Sequence, residues 1–200
     1  MKHISVILLI VAIAGLIYAP TYAQEQVVKL DQPVLLTSCG QSPGPLKIKV
    51  FFGKLGIEYT YNLQATSDDL AAKKKEGKPY KSIIIVVGAS LKGMGAAKVS
   101  IEDEMERTKK LIAEARKQGM KVVGAHVEGM ERRAQGAAPG DNSDELSIDT
   151  VCPQSDMLVV RKDGDEDKRF TTIAASKKIP LLTFEKNMEL SDVLKNLYQK

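Results

Sequence analysis

Ile83-Ile84-Ile85-Val86-Val87 is a run of five β-branched residues without a polar position, and its reading decides the fold. A strand with one wet face alternates apolar and polar side chains, whereas an uninterrupted apolar run needs both faces covered, as in the centre of a parallel sheet between helical layers. Upstream, Val34-Leu35-Leu36-Thr37 and the weaker Glu58–Asn62 read as strands; downstream, Val122–Val127 and Met157–Val160 continue the series. Leu181–Phe184 follows Pro180 and reads as a sixth strand at an edge, where a preceding proline is tolerated.

Helical stretches separate these runs. Ser42 is placed to cap a helix with Pro43 in its first turn, ending at Gly56 and turning Leu46, Val50 and Leu55 inward. Ser67-Asp68-Asp69 opens a short lysine-rich helix. Ser100 caps a longer one with Glu102, Asp103 and Glu104 in its first turn, Ile101, Met105, Ile112 and Ala115 facing the core, Gly119 as terminator and the charged side chains in solvent. A helix from near Lys168 and another over Ser191–Tyr198 complete the set. The alternation predicts an α/β fold: a three-layer αβα sandwich on a mostly parallel, doubly wound sheet of five or six strands, flavodoxin/Rossmann-like.

Around this core the composition is that of an ordinary globular chain, at 44% hydrophobic and 27% charged residues over 200 residues, which excludes disorder and a disulfide-dense miniprotein. Lys2, the apolar run Ile4–Ala19 and Pro20-Thr21-Tyr22-Ala23 have the layout of a secretory signal, so residues 1–23 are expected to be removed and residues 24–200 to form one α/β domain, secreted or periplasmic. Loss of Lys2 takes the formal charge from +4 to +3, and with no Trp and only 5% aromatic residues the chain lacks the basic, aromatic-studded face of a nucleic-acid binder. Cys39 and Cys152 are expected far apart across the sheet and unpaired.

In an open parallel sheet, ligands bind beyond the carboxyl ends of the strands, where the strand order reverses. Four connections meet at that edge: Ser38–Gly44, Gly88–Lys98, His126–Asp144 and Lys162–Asp167. The first joins a buried strand to a capped helix, so the amides around Ser38, Cys39, Gly40, Gln41 and Ser42 suit an anion, although an ordinary strand-to-helix turn explains the same residues. It partly resembles the flavodoxin phosphate loop through Thr37, Gly40 and Ser42, but Cys39 stands where that loop has threonine and later loops supply no aromatic walls for a flavin. The second, eleven residues long, reads as a glycine-rich wall in which Gly88, Ser90, Lys92 and Gly93 face an anionic group; it completes neither the dinucleotide nor the phosphate-loop motif. The third brings His126, Glu128, Arg132, Arg133 and Asp144, with Arg132 favoured as the anion binder.

These residues lead to an exported binding protein for a small anionic or polar ligand, serving a membrane transporter, without cofactor or metal. The alternative is a thiol-dependent hydrolase or transferase with Cys39 as nucleophile, His126 as base and Glu128 orienting it, and a third reading is a pure interaction module. One histidine outside the signal and two separated cysteines cannot make a zinc site, and the alternating Asp163, Asp165 and Asp167 lack the glycine and closing glutamate of a calcium loop.

The signal, Leu-Leu-Thr-Ser-Cys-Gly-Gln-Ser-Pro-Gly from Leu35, Val-Val-Gly-Ala-Ser-Leu-Lys-Gly-Met-Gly-Ala-Ala from Val86, the His126–Arg133 rim and Asp156-Met157-Leu158-Val159-Val160 together resemble an uncharacterised family of exported bacterial single-domain proteins, a domain of unknown function. The resemblance implies export and one α/β unit, and transfers no reaction. Where that family has Gly-Gly-Glu-x-Arg-Arg-Gly, this chain has Gly129-Met130-Glu131-Arg132-Arg133-Ala134.

Overall fold

The computed structural model describes residues 28–133 and 140–199; the expected signal segment lies outside the described residues. Six strands form one all-parallel sheet: β1 (Val34–Cys39), β2 (Tyr59–Tyr61), β3 (Ser82–Val87), β4 (Lys121–His126), β5 (Met157–Arg161) and β6 (Leu181–Phe184), in the order β2-β1-β3-β4-β5-β6. The order reverses between β1 and β3, so the crevice expected of a doubly wound sheet falls between their carboxyl ends.

The pleat of β3 carries the two-sided burial that its sequence requires. Ile83, Ile85 and Val87 join a core cluster under α2 (Ser67–Lys75), α4 (Ile101–Lys117), α5 (Ser143–Val151) and α6 (Arg169–Lys177). Ile84 and Val86 join the opposite cluster, under α1 (Gly44–Leu55) and α7 (Asn187–Tyr198), which contribute Ile48, Phe51 and Phe52 and Leu190, Leu194 and Leu197. Alternate side chains of one strand thus enter two cores.

Several sequence expectations are corrected. Helix α1 begins at Gly44, not at Pro43; Pro43 occupies the capping position without a side-chain cap, and Ser42 Oγ instead accepts the Gly44 amide at 3.3 Å. Leu46 and Val50 point outward, 50% and 49% exposed, because Ile48, Phe51 and Phe52 already fill the space over β1 and β3. The glycine-rich connection after β3 is largely helical: Ser90 caps α3 (Leu91–Ala97), its Oγ accepting the Gly93 amide at 3.1 Å. Helix α5 had no counterpart in the sequence reading.

On α4 the buried positions are Glu104, Thr108, Leu111, Ile112 and Ala115, with Ile101 and Met105 only half-buried. The helix is therefore turned so that an acidic residue, expected in solvent, lies on its core side. Ser100 and Asp103 close a reciprocal capping box at its start.

Candidate functional site

The loops after β1 and β3 are joined backbone to backbone. Gln41 and Ala89 form an isolated antiparallel bridge, and the Ser90 amide donates to the Gly40 carbonyl at 2.8 Å. Only glycine fits at this crossing: Gly40 has φ +101°, and a Cβ there would lie 2.7 Å from the Gly88 carbonyl oxygen. Helix α3 docks equally closely, since a Cβ on Gly93 would lie 2.2 Å from the Gln41 carbonyl oxygen. Ser38–Ser42, Gly88, Ser90 and Gly93 are thus brought together as expected, while Lys92 stands exposed on the first turn of α3.

The amides of this rim are taken by the protein's own acids. Buried Glu104 accepts from the Gly40 amide and from the Gln41 side-chain amide, both at 2.9 Å, and its charge is matched by Arg107 at 2.8 and 2.9 Å. Arg107 also donates to the carbonyls of Ala65 and Ser38 at 2.7 and 2.6 Å, so each of its three guanidinium nitrogens is engaged inside the fold. Glu128 accepts the Gly44 amide at 2.9 Å, at the start of α1, and faces Arg132 at 3.4 Å. Asp144, at the start of α5, accepts the Ala89 amide through Oδ1, and Ser147 Oγ accepts the Gly88 amide at 2.8 Å. Glu104 was missed as a rim residue, whereas Asp144 was placed on the third connection without a role of its own. Their one sequence signal was position: both are acids in the first turn of a helix.

Arg132 differs from the other arginines of this edge. Its stem crosses Gly88, where an added Cβ would stand 2.8 Å from Arg132 Cβ, and its side chain is 29% exposed. Its contacts are long, 3.4 Å to both Glu128 and the Glu131 carbonyl, and among the described residues Nε has no hydrogen-bond partner. Arg133 is the opposite case, buried and held by Glu145, Asp167 and the Gly164 carbonyl. Burial alone would lower its pKa, but hydrogen bonds to Asp167 and Glu145 more than offset this and keep it charged.

Cys39, His126 and Glu128 do not assemble. Cys39 is fully buried, its Sγ directed at the Glu104 carbonyl at 3.9 Å, and burial pushes the thiol up to about 12, far from the thiolate a nucleophile needs. His126 is buried against Phe170, ring centroids 5.0 Å apart, with Nε2 2.9 Å from the Gly129 carbonyl; burial lowers its pKa to about 4. Glu128 hydrogen-bonds to Gly44, not to His126. Cys152 is also buried and unpaired.

Among the described residues, no group of three or more His, Cys, Asp or Glu side chains is arranged to hold a metal ion. Asp163, Asp165 and Asp167 have separate tasks: an ion pair with Arg161 at 3.1 Å, acceptance of the Phe170 amide at 2.8 Å at the start of α6, and the clasp on Arg133. No described helix is long and apolar enough to cross a membrane.

The chain matches the family described as a domain of unknown function (DUF6305) over residues 31–198. No curated protein matches it. Among solved structures it is similar to the psychrotrophic esterase EstA from Pseudoalteromonas sp., a structure inhibited by monoethylphosphonate, at 11% identity over 76% of this chain and 78% of that one, with a TM-score of 0.37. It is similar to TesA at 16% identity over 74% and 77%, with a TM-score of 0.33. Likeness this distant carries no argument about chemistry.

Proposed function

We propose, for a chain that belongs to the DUF6305 family, that it binds a small anionic or polar ligand at the carboxyl edge of its sheet. The supporting observation is the state of Arg132: a side chain whose stem lies on Gly88 at the reversal of strand order, partly exposed as a whole, with guanidinium contacts of 3.4 Å among the described residues. An incoming carboxylate or phosphate oxygen gives the guanidinium donors a strong partner in a planar, forked geometry that lysine cannot reproduce. Lys92 adds a second exposed cation on the same edge.

The amides of Gly40, Gly44, Gly88 and Ala89, already bonded within the protein, act as scaffold and not as ligand donors. This moves the proposed contact from the first loop to the Arg132 side of the crevice. The secretory signal at residues 1–23 extends the reading to an exported protein handing its ligand to a membrane transporter. The thiol-enzyme alternative lacks comparable support, because it needs an accessible, acidic Cys39.

The test is a thermal-shift panel of carboxylates, phosphates and nucleotides on the chain from residue 24, beside Arg132→Gln. Binding to the native state raises Tm by mass action. A ligand that raises Tm in the parent protein and not in the variant supports the reading; no shift with any member removes it.

A further inference from the structure

Charge at the rim is unevenly distributed. Arg107 is committed to Glu104, and Arg133 to Glu145 and Asp167, each at hydrogen-bonding distance. Two carboxylates remain, Glu128 and Asp144, and Arg132 is the guanidinium acting on both: at 3.4 Å from Glu128, and as the favourable charge felt by Asp144. A ligand bringing only negative charge would make a third anion around one guanidinium, which is electrostatically poor.

Asp144 carries the complementary half of the argument. It is buried apart from a 7% fringe, Oδ1 accepts the Ala89 amide, and among the described residues no donor reaches Oδ2. The other charged groups around it are Asp141 and Glu145, both repelling. Burial raises its pKa to about 6, against the opposing pull of the Ala89 amide and Arg132. Arg132 lies on Gly88 and Asp144 holds the amide of Ala89, so a basic and an acidic side chain flank adjacent peptide units.

We infer that the ligand of this rim is a small zwitterion, whose carboxylate is taken by Arg132 and whose ammonium is taken by Asp144. This rests on the ligand-binding reading above and narrows it from anions in general to molecules carrying both charges. An amino acid or short peptide has the required pairing; a phosphate does not.

Matched probes separate the two levels. Glycylglycine carries both charges near pH 7, N-acetylglycylglycine only the carboxylate and glycylglycine amide only the ammonium; inorganic phosphate serves as a polyanion. Titrated calorimetrically against the chain from residue 24, glycylglycine is expected to bind about tenfold or more tightly than either blocked form. Asp144→Asn keeps an oxygen for the Ala89 amide but loses the charge, so it should reduce glycylglycine to the level of its acetylated form. Arg132→Gln should abolish both. Acidifying the parent protein from pH 7 to pH 5 protonates Asp144 and should weaken glycylglycine selectively, a readout independent of how well the variants fold. If N-acetylglycylglycine or phosphate binds as tightly as glycylglycine and loses affinity in Arg132→Gln, the zwitterion inference fails while the binding reading survives. If no probe binds, both fail.

Discussion

Glu104 on α4 accepts the amide hydrogen of Gly40 at 2.9 Å, sixty-four residues earlier in the chain. The same carboxylate holds the Gln41 side chain and Arg107, so one acid fixes the β1 loop, a neighbouring side chain and a guanidinium. Glu104→Ala leaves the largely buried Arg107 without its counter-charge and the Gly40 amide without its acceptor, while the Gln41 side-chain amide keeps only the Leu63 carbonyl. It should destabilise the fold by about 3–5 kcal/mol, with Glu104→Gln costing less because its carbonyl can still accept from Gly40. Urea unfolding checks this; equal midpoints for Ala and parent would contradict the role assigned to Glu104.

Both thiols should be silent in the native state. Cys39 is pushed up to about 12 by burial, and Cys152 is likewise raised by burial. Iodoacetamide at pH 7.5 should therefore modify neither residue until denaturant is added, when both react. Native-state labelling of Cys39 ahead of global unfolding would revive the nucleophile reading.

Acid should act on two buried groups in opposite directions. His126 has a folded pKa of about 4, below its ordinary 6.5, so its contribution is present above pH 6.5 and is lost as pH falls toward 4. Asp144 has a folded pKa of about 6, above its ordinary 3.8, so its contribution is fully present below pH 3.8 and is lost as pH rises through 6. The His126 contribution amounts to something on the order of 3 kcal/mol and that of Asp144, nearer solvent, to less, so in the parent protein they partly cancel between pH 4 and 6. Relative to the parent, His126→Gln should gain stability on acidification across that window and Asp144→Asn should lose it. Parallel pH profiles for all three proteins would refute both assignments.

Two glycines should respond with opposite sign. Gly40→Ala places a methyl group 2.7 Å from a carbonyl oxygen at φ +101° and should cost about 2 kcal/mol or more. Gly53→Ala, inside α1 with nothing within 4 Å of the new methyl, should gain about 0.5–1 kcal/mol. Thermal midpoints measured together decide it; a stabilising Gly40→Ala would mean that the crossing of the two loops is looser than described.

Strand assignment was legible because β-branched runs such as Ile83–Val87 state their burial directly, and β6 occupies the residues expected of it, Leu181–Phe184. The helices were harder where polarity and burial part company. Glu104 and Thr108 face inward on α4, and Ser143, Asp144, Ser147 and Thr150 do so on α5, so a periodicity that counts only apolar residues turns the first helix too far and misses the second. Helix α3 hid behind Gly93 and Gly95, which read as loop although Ser90 supplies an ordinary cap. At the site, chain order was enough to gather Gly40, Gly88, Ser90 and Arg132 at one edge. It could not reveal that nearby acids reach across to the first-loop amides, since such pairings depend on side-chain direction.

The carboxylate seated on the Gly40 amide has a use for an experimenter. Shortened to glycine at position 104, it would leave behind a recess furnished with an amide hydrogen, a side-chain amide and the Arg107 fork, all aimed at the vacated oxygen. Formate or acetate supplied from solution would restore the missing anion, so a crippled variant rescued by a simple salt turns a fixed strut into a tunable receptor.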